Sequence, residues 1–307
     1  MPHSGPTSFP FISLKVRNSK PVLEGVRGVC PALDLVNWRP RGWLIRSTNW
    51  PVWARGRMWA PELHFVNGRY ITYFTAADTD DKLNIGAAVA TTDDPFGEYR
   101  DIGKPLVVKR QSLAGAIDPH YFKDPVSGKD YLLWKEDNIF QTSLIQIREL
   151  NKDGISFRGQ PRTILTQSLS GERLVTEAPW LMYRDGFYYL FYSSAWFFEA
   201  KYHMRVAKAK SPLGPFVKRT LPILENDWEK YSRGENTTFL GPGHGSVLDV
   251  EGSWWMVYHA WLYVHVDQSP GRQLLLDEVL WQEGWPVVGT PSHTKQLKPL
   301  TRNKQNI

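Results

Sequence analysis

The chain has 307 residues, enough for one large domain or two ordinary ones with a substantial core. Aromatic residues make up 13% of it, 14 of them Trp, and 24 Gly and 22 Pro add turn formers, which fits many strands with frequent turns better than a helical bundle. The net charge of +6 is scattered in short mixed clusters, which argues against a nucleic-acid partner, and no run nears the roughly 18 apolar residues of a membrane span.

Residues 1–20 are rich in Pro and polar side chains; they are expected to be disordered and lack the unbroken apolar core of an export signal. Residues 21–58 contain the only cysteine, Cys30, which excludes an intramolecular disulfide, and an aspartate, Asp34, in an apolar setting. This stretch has no convincing strand around Asp34 and no Gly-aromatic hairpin.

From Ala60 onward one pattern occurs four times: "APELHFVNGRYITYFTA", "DPHYFKDPVSGKDYLLW", "APWLMYRDGFYYLFYSS" and "GSVLDVEGSWWMVYHAW". Each has a short apolar stretch, a turn ending in Gly68, Gly128, Gly186 or Gly252, and an alternating aromatic stretch, which is a strong hairpin signal. The interval is about 60 residues, the size of a four-stranded sheet with its connections, and sheets so repeated pack radially as propeller blades. A second echo, "ATTDDPFGEYRD" at 90–101 against "AKAKSPLGPFVK" at 207–218, supports the period. Residues 271–289 add two strands about Glu283-Gly284.

Helical periodicity is weak, and 141–160 and 225–240 read as loops or irregular strands. No linker divides the chain. The expectation is an all-β, five-bladed propeller formed by residues 1–307 as a single domain, with an incomplete or irregular first blade at 21–58.

In a propeller the starts of the innermost strands meet at one mouth. Here they bring Trp59, Asp118, Glu177 and His244 together. Acids flanked by apolar residues are costly to bury without a purpose. Asp118 could instead cap the turn before Pro119, and Glu177 could pair with an arginine; two acids in matching slots of a repeat favour function over that reading. Paired carboxylates in an aromatic pocket suit cleavage of a glycosidic bond, one donating a proton and the other staying ionised. His244, in "GPGHGS", could approach the axis because glycines leave backbone space; it could bind a cation through water or only hydrogen-bond in the core. No nucleophile-elbow serine, phosphate loop, zinc-protease or dinucleotide motif is present.

The segments "RMWAPELHFVNGRYITYF", "GAIDPHYFKDPVSGKDYLLW", "TEAPWLMYRDGFYYLFYSS" and "GPGHGSV" resemble the signature segments of glycoside hydrolase family 43, from about Asp34 to Val288. The resemblance implies a five-bladed propeller that hydrolyses arabinose- or xylose-containing glycans with inversion, α-L-arabinofuranosides foremost. It implies Glu177 as general acid, Asp118 as the carboxylate that orients it and raises its pKa, and Arg272 and Trp59 as substrate contacts. It places His244 beside a calcium or other ion on the axis, while the chemistry itself needs no cofactor. An extracellular location would go with the family. The family's general base is an Asp of the first blade, between segments resembled here by "SKPVLEG" and "LDLVNWRPRGWLIR". Only "VRGVCPA" joins them, so about 25 residues, roughly two strands, are missing. Asp34 matches an outer-strand turn position and is a poor substitute for that base. The alternative reading is therefore a catalytically impaired propeller that binds glycan or a protein partner.

Overall fold

The computed structural model describes residues 26–29, 35–38, 42–108, 115–137, 142–235 and 238–292. Asp34, Cys30 and residues 1–20 lie outside them. The described residues form an all-β propeller.

The first full sheet consists of β3 (Gly56–Val66), β4 (Arg69–Ala77), β5 (Leu83–Ala90) and β6 (Tyr99–Asp101), hydrogen-bonded in that order. The second runs from β7 (Ala116–Lys123) through β8 (Asp130–Asp137) and β9 (Ser143–Leu150) to β10 (Phe157–Thr166). The third holds β11 (Thr176–Arg184), β12 (Phe187–Ser194), β13 (His203–Ala209) and β14 (Val217–Lys218). The fourth has three strands, β15 (Phe239–Val250), β16 (Ser253–Leu262) and β17 (Arg272–Glu278). Every pairing within them is antiparallel. The first strands of the four sheets touch in sequence, β3 against β7, β7 against β11 and β11 against β15, which makes them the axial strands.

Two smaller pieces flank this set. β18 (Leu280–Gln282) pairs with β19 (Trp285–Val287) about Glu283-Gly284, as the sequence suggests. β1 (Val26–Val29) pairs with β2 (Gly42–Ile45), with a register irregularity at both steps. The stretch before Asp34 thus does contain a strand, four residues long, although its sequence has no clear alternation. Residues 141–160 supply the regular β9 as well as the start of β10, whose register slips twice. Residues 225–240 contain a one-turn helix, α1 (Trp228–Ser232), started by the Asp227 carboxylate accepting the Lys230 amide at 3.0 Å.

The hairpins form where Asx/Glu-Gly pairs supply two consecutive left-handed residues. Asn67 and Gly68 have φ of 46° and 93°, Asp185 and Gly186 48° and 77°, Glu251 and Gly252 53° and 89°. That is the backbone of a type I′ turn, whose twist matches the strands it joins. The second echo marks the step from third to fourth strand, β5 to β6 and β13 to β14.

Alternation along the strands sends apolar side chains to both faces, so the core lies between blades. Leu133 and Ile147 of the second sheet meet Leu190 and Tyr192 of the third. Phe191 and Met204 of the third meet Met256 and Tyr258 of the fourth. Leu44 and Ile45 of β2 pack on Leu63 and Phe74 of the first sheet.

Candidate active site

All four axial strands break register near a proline close to their start; β3 slips a second time between Gly56 and Trp59, and β15 between Gly243 and Ser246, the step that holds His244. The shared slips fall between Trp59 and Glu62, Ile117 and His120, Glu177 and Trp180, and Leu240 and Gly243. Each contains a proline preceded by a left-handed residue: Ala60 (φ 44°), Asp118 (55°), Ala178 (51°) and Gly241 (61°). Proline cannot donate to the ladder, so it sits in a bulge, and the bulge bends the strand and re-aims its side chains. The non-glycine residues there pay a conformational cost that the ring imposes in every blade.

This geometry refines the expectation that Asp118 and Glu177 fill matching slots. Asp118 is the bulged residue of β7, whereas Glu177 precedes the bulge of β11, where Trp59 stands in β3. The offset lets the two acids approach by different routes. Asp118 Oδ2 accepts the Ala178 amide at 3.1 Å, next to Glu177, and the Asp118 amide donates to Thr75 Oγ1 at 3.2 Å. Thr75 is the cross-strand partner of Trp59. Neither acid takes the turn-cap or arginine-paired role that would have made it structural.

Glu177 and Asp118 are each 8% exposed. Burial pushes both carboxyls upward, and for Glu177 the Asp118 charge adds to the rise, opposed by Lys135 and by the Tyr202 hydroxyl. For Asp118 the Lys135 charge, the Ala178 amide and Arg272 oppose burial. Tyr202 donates to Glu177 Oε1 at 2.7 Å, and its own pKa is driven well above 10 by burial and the Glu177 charge, so it remains a donor. The Tyr202 ring stacks on His259, centroids 5.8 Å apart and 7° from parallel. It fits because Gly243 has no side chain: a Cβ there would meet the ring at 2.0 Å.

Arg272, at the start of β17, donates from Nη1 to His259 Nε2 at 2.6 Å. That acceptor role puts the His259 proton on Nδ1, and burial with the Arg272 charge holds its pKa far below the usual imidazole value. His244 is half-buried, held through its amide by Ser193 Oγ at 2.8 Å, with its ring 6.2 Å from His259. Burial pushes it down to about 4 despite the Glu177 charge, so it is neutral near pH 7. The space around "GPGHG" serves the neighbours: Gly243 admits Tyr202, and a Cβ at Gly245 would press on Met256 and Met204. Trp59 is half-buried with the Arg57 guanidinium 5.7 Å from its ring.

Among the described residues no group of three or more His, Cys, Asp or Glu could hold a metal ion.

Below the acids lies a second polar cluster that the sequence reading missed. The Glu62 carboxylate accepts from His64 Nε2 at 2.7 Å, His120 Nδ1 at 3.1 Å and the Tyr121 amide at 3.2 Å. Lys135 and Tyr202 were missed as well. The available signal was the recurring x-Pro-x at the axial strands: "APE", "DPH", "APW" and "GPG" place Glu62, His120 and Trp180 one after another around the axis. Lys135 was visible as the first charge after an apolar run in "YLLWKED", opposite Ile117 in the register.

Two buried acids, one held by the Ala178 amide and the other by the Tyr202 hydroxyl, thus lie on the axial strands of a propeller near the half-buried Arg272. The chain belongs to the glycosyl hydrolases of family 43, whose sequence pattern matches residues 26–286. It is 28% identical over 268 residues to the Beta-D-galactofuranosidase xynD of Aspergillus niger, covering 83% of this chain and 71% of that protein. Its identity to the extracellular exo-alpha-(1->5)-L-arabinofuranosidase ArbA of Cellvibrio japonicus is 26%, covering 83% of this chain and 78% of that one. Among solved structures, a thermostable family-43 glycoside hydrolase superposes with a TM-score of 0.79 at 27% identity, covering 91% of this chain and 90% of that chain. No helix among the described residues is long and apolar enough to cross a membrane.

Proposed function

We propose that this chain hydrolyses arabinose- or xylose-containing glycans, α-L-arabinofuranosides foremost, by single displacement with inversion. The observation that carries this reading is the bond to Asp118 from the amide of Ala178, the residue after Glu177, which ties one buried carboxyl to the backbone beside the other, with Tyr202 holding the second. Glu177 is the general acid: it gives its proton to the departing glycosidic oxygen as water attacks the anomeric carbon from the opposite face. Burial and the Asp118 charge raise its pKa, which favours the protonated, donating form. Asp118 positions Glu177 and raises its pKa by like-charge repulsion. Arg272 contacts the sugar at the cleavage position and Trp59 walls the pocket. The family resemblance assigns the base that takes the water's proton to an Asp of the first blade, in the segment this chain lacks, and no residue here, Asp34 included, is given that role; turnover therefore depends on another acceptor for that proton. The arabinofuranosidase name of one relative supports the sugar, and the loop between β12 and β13, which brings Tyr202 to Glu177, supports exo action. The ring is read as five-membered, with β1 and β2 contributing to the fifth blade, an assignment supported by the packing of β2 on the first sheet.

The test is release of 4-nitrophenol from the α-L-arabinofuranoside and the β-D-xyloside at high protein loading, with the anomer of the first-formed sugar read by NMR. Inverted product, lost in Glu177→Gln, is expected. Retained configuration, or release that survives Glu177→Gln, would overturn the mechanism. Binding of sugar without release would instead identify a propeller that only holds glycan.

A further inference from the structure

We infer that Trp196 and Phe198 form a stacking platform for the sugar unit on the leaving-group side of the scissile bond. The inference rests on the hydrolase reading above but makes a separate claim about binding.

In β11 and β12, Thr176 pairs with Ser194 and Glu177 with Ser193. The loop that leaves Ser194 therefore emerges at the Glu177 end of the blade, and it returns through Tyr202, which donates to Glu177. Along that loop the side chains divide. Phe197 lies with the Arg272 guanidinium 5.3 Å from its ring and supports Phe198 from behind, edge-on at 5.3 Å between centroids and 84°. Its neighbours face out: Trp196 is 44% and Phe198 40% exposed, and their rings stack 5.8 Å apart at 23°.

The loop is braced. Its own turn closes through the Glu199 amide to Trp196 O at 2.9 Å. Trp261 Nε1 donates to Phe197 O at 2.8 Å and Asn226 Nδ2 to Ala200 O at 2.6 Å. Arg173 pairs with Glu199 at 3.6 Å. The Glu199 carbonyl also sits where a Cβ of Gly241 would be, 2.6 Å from it, so the loop rests directly on the start of β15.

Holding two large apolar rings in water on a rigid loop forgoes the hydrophobic free energy of burying them. Exposed aromatic faces of this kind match the C–H face of a sugar ring, and bracing removes the ordering cost of binding. The position selects the side. The acids lie buried at the axis with Arg272 beside them, so the glycone occupies the interior, and a platform on the rim beyond Phe197 meets the unit that departs.

The experiment compares wild type with Trp196→Ala on a linear arabino-oligosaccharide and on methyl α-L-arabinofuranoside, whose leaving group cannot reach the rim. Loss of one stacked face should cut kcat/KM on the oligosaccharide roughly tenfold more than on the methyl glycoside. Trp196→Tyr should restore most of the difference. Equal effects on both substrates would overturn the platform. Titration calorimetry of the same oligosaccharide into Glu177→Gln, with and without Trp196→Ala, reads binding independently of turnover. If wild type cleaves neither substrate, the hydrolase reading falls, and the platform stands only if Trp196→Ala still weakens binding about tenfold; unchanged or undetectable binding overturns it.

Discussion

Glu177 receives two opposing influences from neighbours that differ in kind, and they can be separated by mutation. Asp118 is a like charge that favours the protonated acid, whereas the Tyr202 hydroxyl donates to the carboxylate and favours its ionised form. In Asp118→Asn the like charge is gone, so the pKa of Glu177 falls and the alkaline limb of the kcat/KM profile moves to lower pH. The rate should also fall about 10²-fold or more, because the donor loses its orientation and the like charge that favours its protonated form. In Tyr202→Phe the stabilising donor is gone, so the same limb moves to higher pH. That variant should lose about 1–2 kcal/mol of stability for the broken buried hydrogen bond, read by urea denaturation. Limbs that move the same way in both variants would contradict the assignment of Glu177 as the titrating acid.

The proline bulge is the element that converts a repeated sheet into a site. It occurs in all four axial strands, but the residues it carries differ, so the scaffold is common and the chemistry is local to β7 and β11. Gly243 shows how the next strand supports it: the Tyr202 ring occupies the volume that any side chain there would need. Gly243→Ala should displace the ring, cost about 1–3 kcal/mol through overpacking, and shift the alkaline limb upward as Tyr202→Phe does. A variant with wild-type profile and stability would show that Tyr202 has room to spare. These elements were unequally legible in the sequence. The hairpins about Gly68, Gly186 and Gly252 could be read because a type I′ turn is specified by two adjacent residues. Asp118 and Glu177 could be read because the repeat put them at strand starts, though their offset across the bulge could not. Lys135, Tyr202 and Glu62 were not identified because their importance arises from contacts between strands, within a blade or across two, and a single strand shows only which face a residue occupies. The four-residue β1 was missed for a related reason, since its sequence has no alternation to betray it.

At the scale of the whole ring, blades must be held to one another as well as formed, and interblade apolar packing is joined near the axis by polar contacts, one set of which runs through three blades. Glu62 of β3 accepts from His120 of β7, and the other ring nitrogen of His120 lies 3.3 Å from the Leu181 carbonyl of β11. Three consecutive blades are thus tied through two side chains, with His64 a further donor to Glu62 at 2.7 Å. Burial alone would raise the Glu62 pKa, but the His120 charge and the histidine hydrogen bonds outweigh it and lower the carboxyl from 4.5 to about 2. The native state therefore binds fewer protons at Glu62 than the unfolded chain does between those values. Its contribution to stability is fully present above pH 4.5 and is lost as pH falls toward 2. The displacement corresponds to about 3 kcal/mol at most. Glu62→Gln should lower the urea midpoint at pH 7, and the gap to wild type should narrow as the pH is taken from 4.5 toward 2, because protonation removes from wild type what the substitution has already removed. Equilibrium denaturation followed by tryptophan fluorescence at a series of pH values measures both. A gap that stays constant over that range would mean that Glu62 acts only by filling space and that its ionised form contributes nothing to holding the blades together.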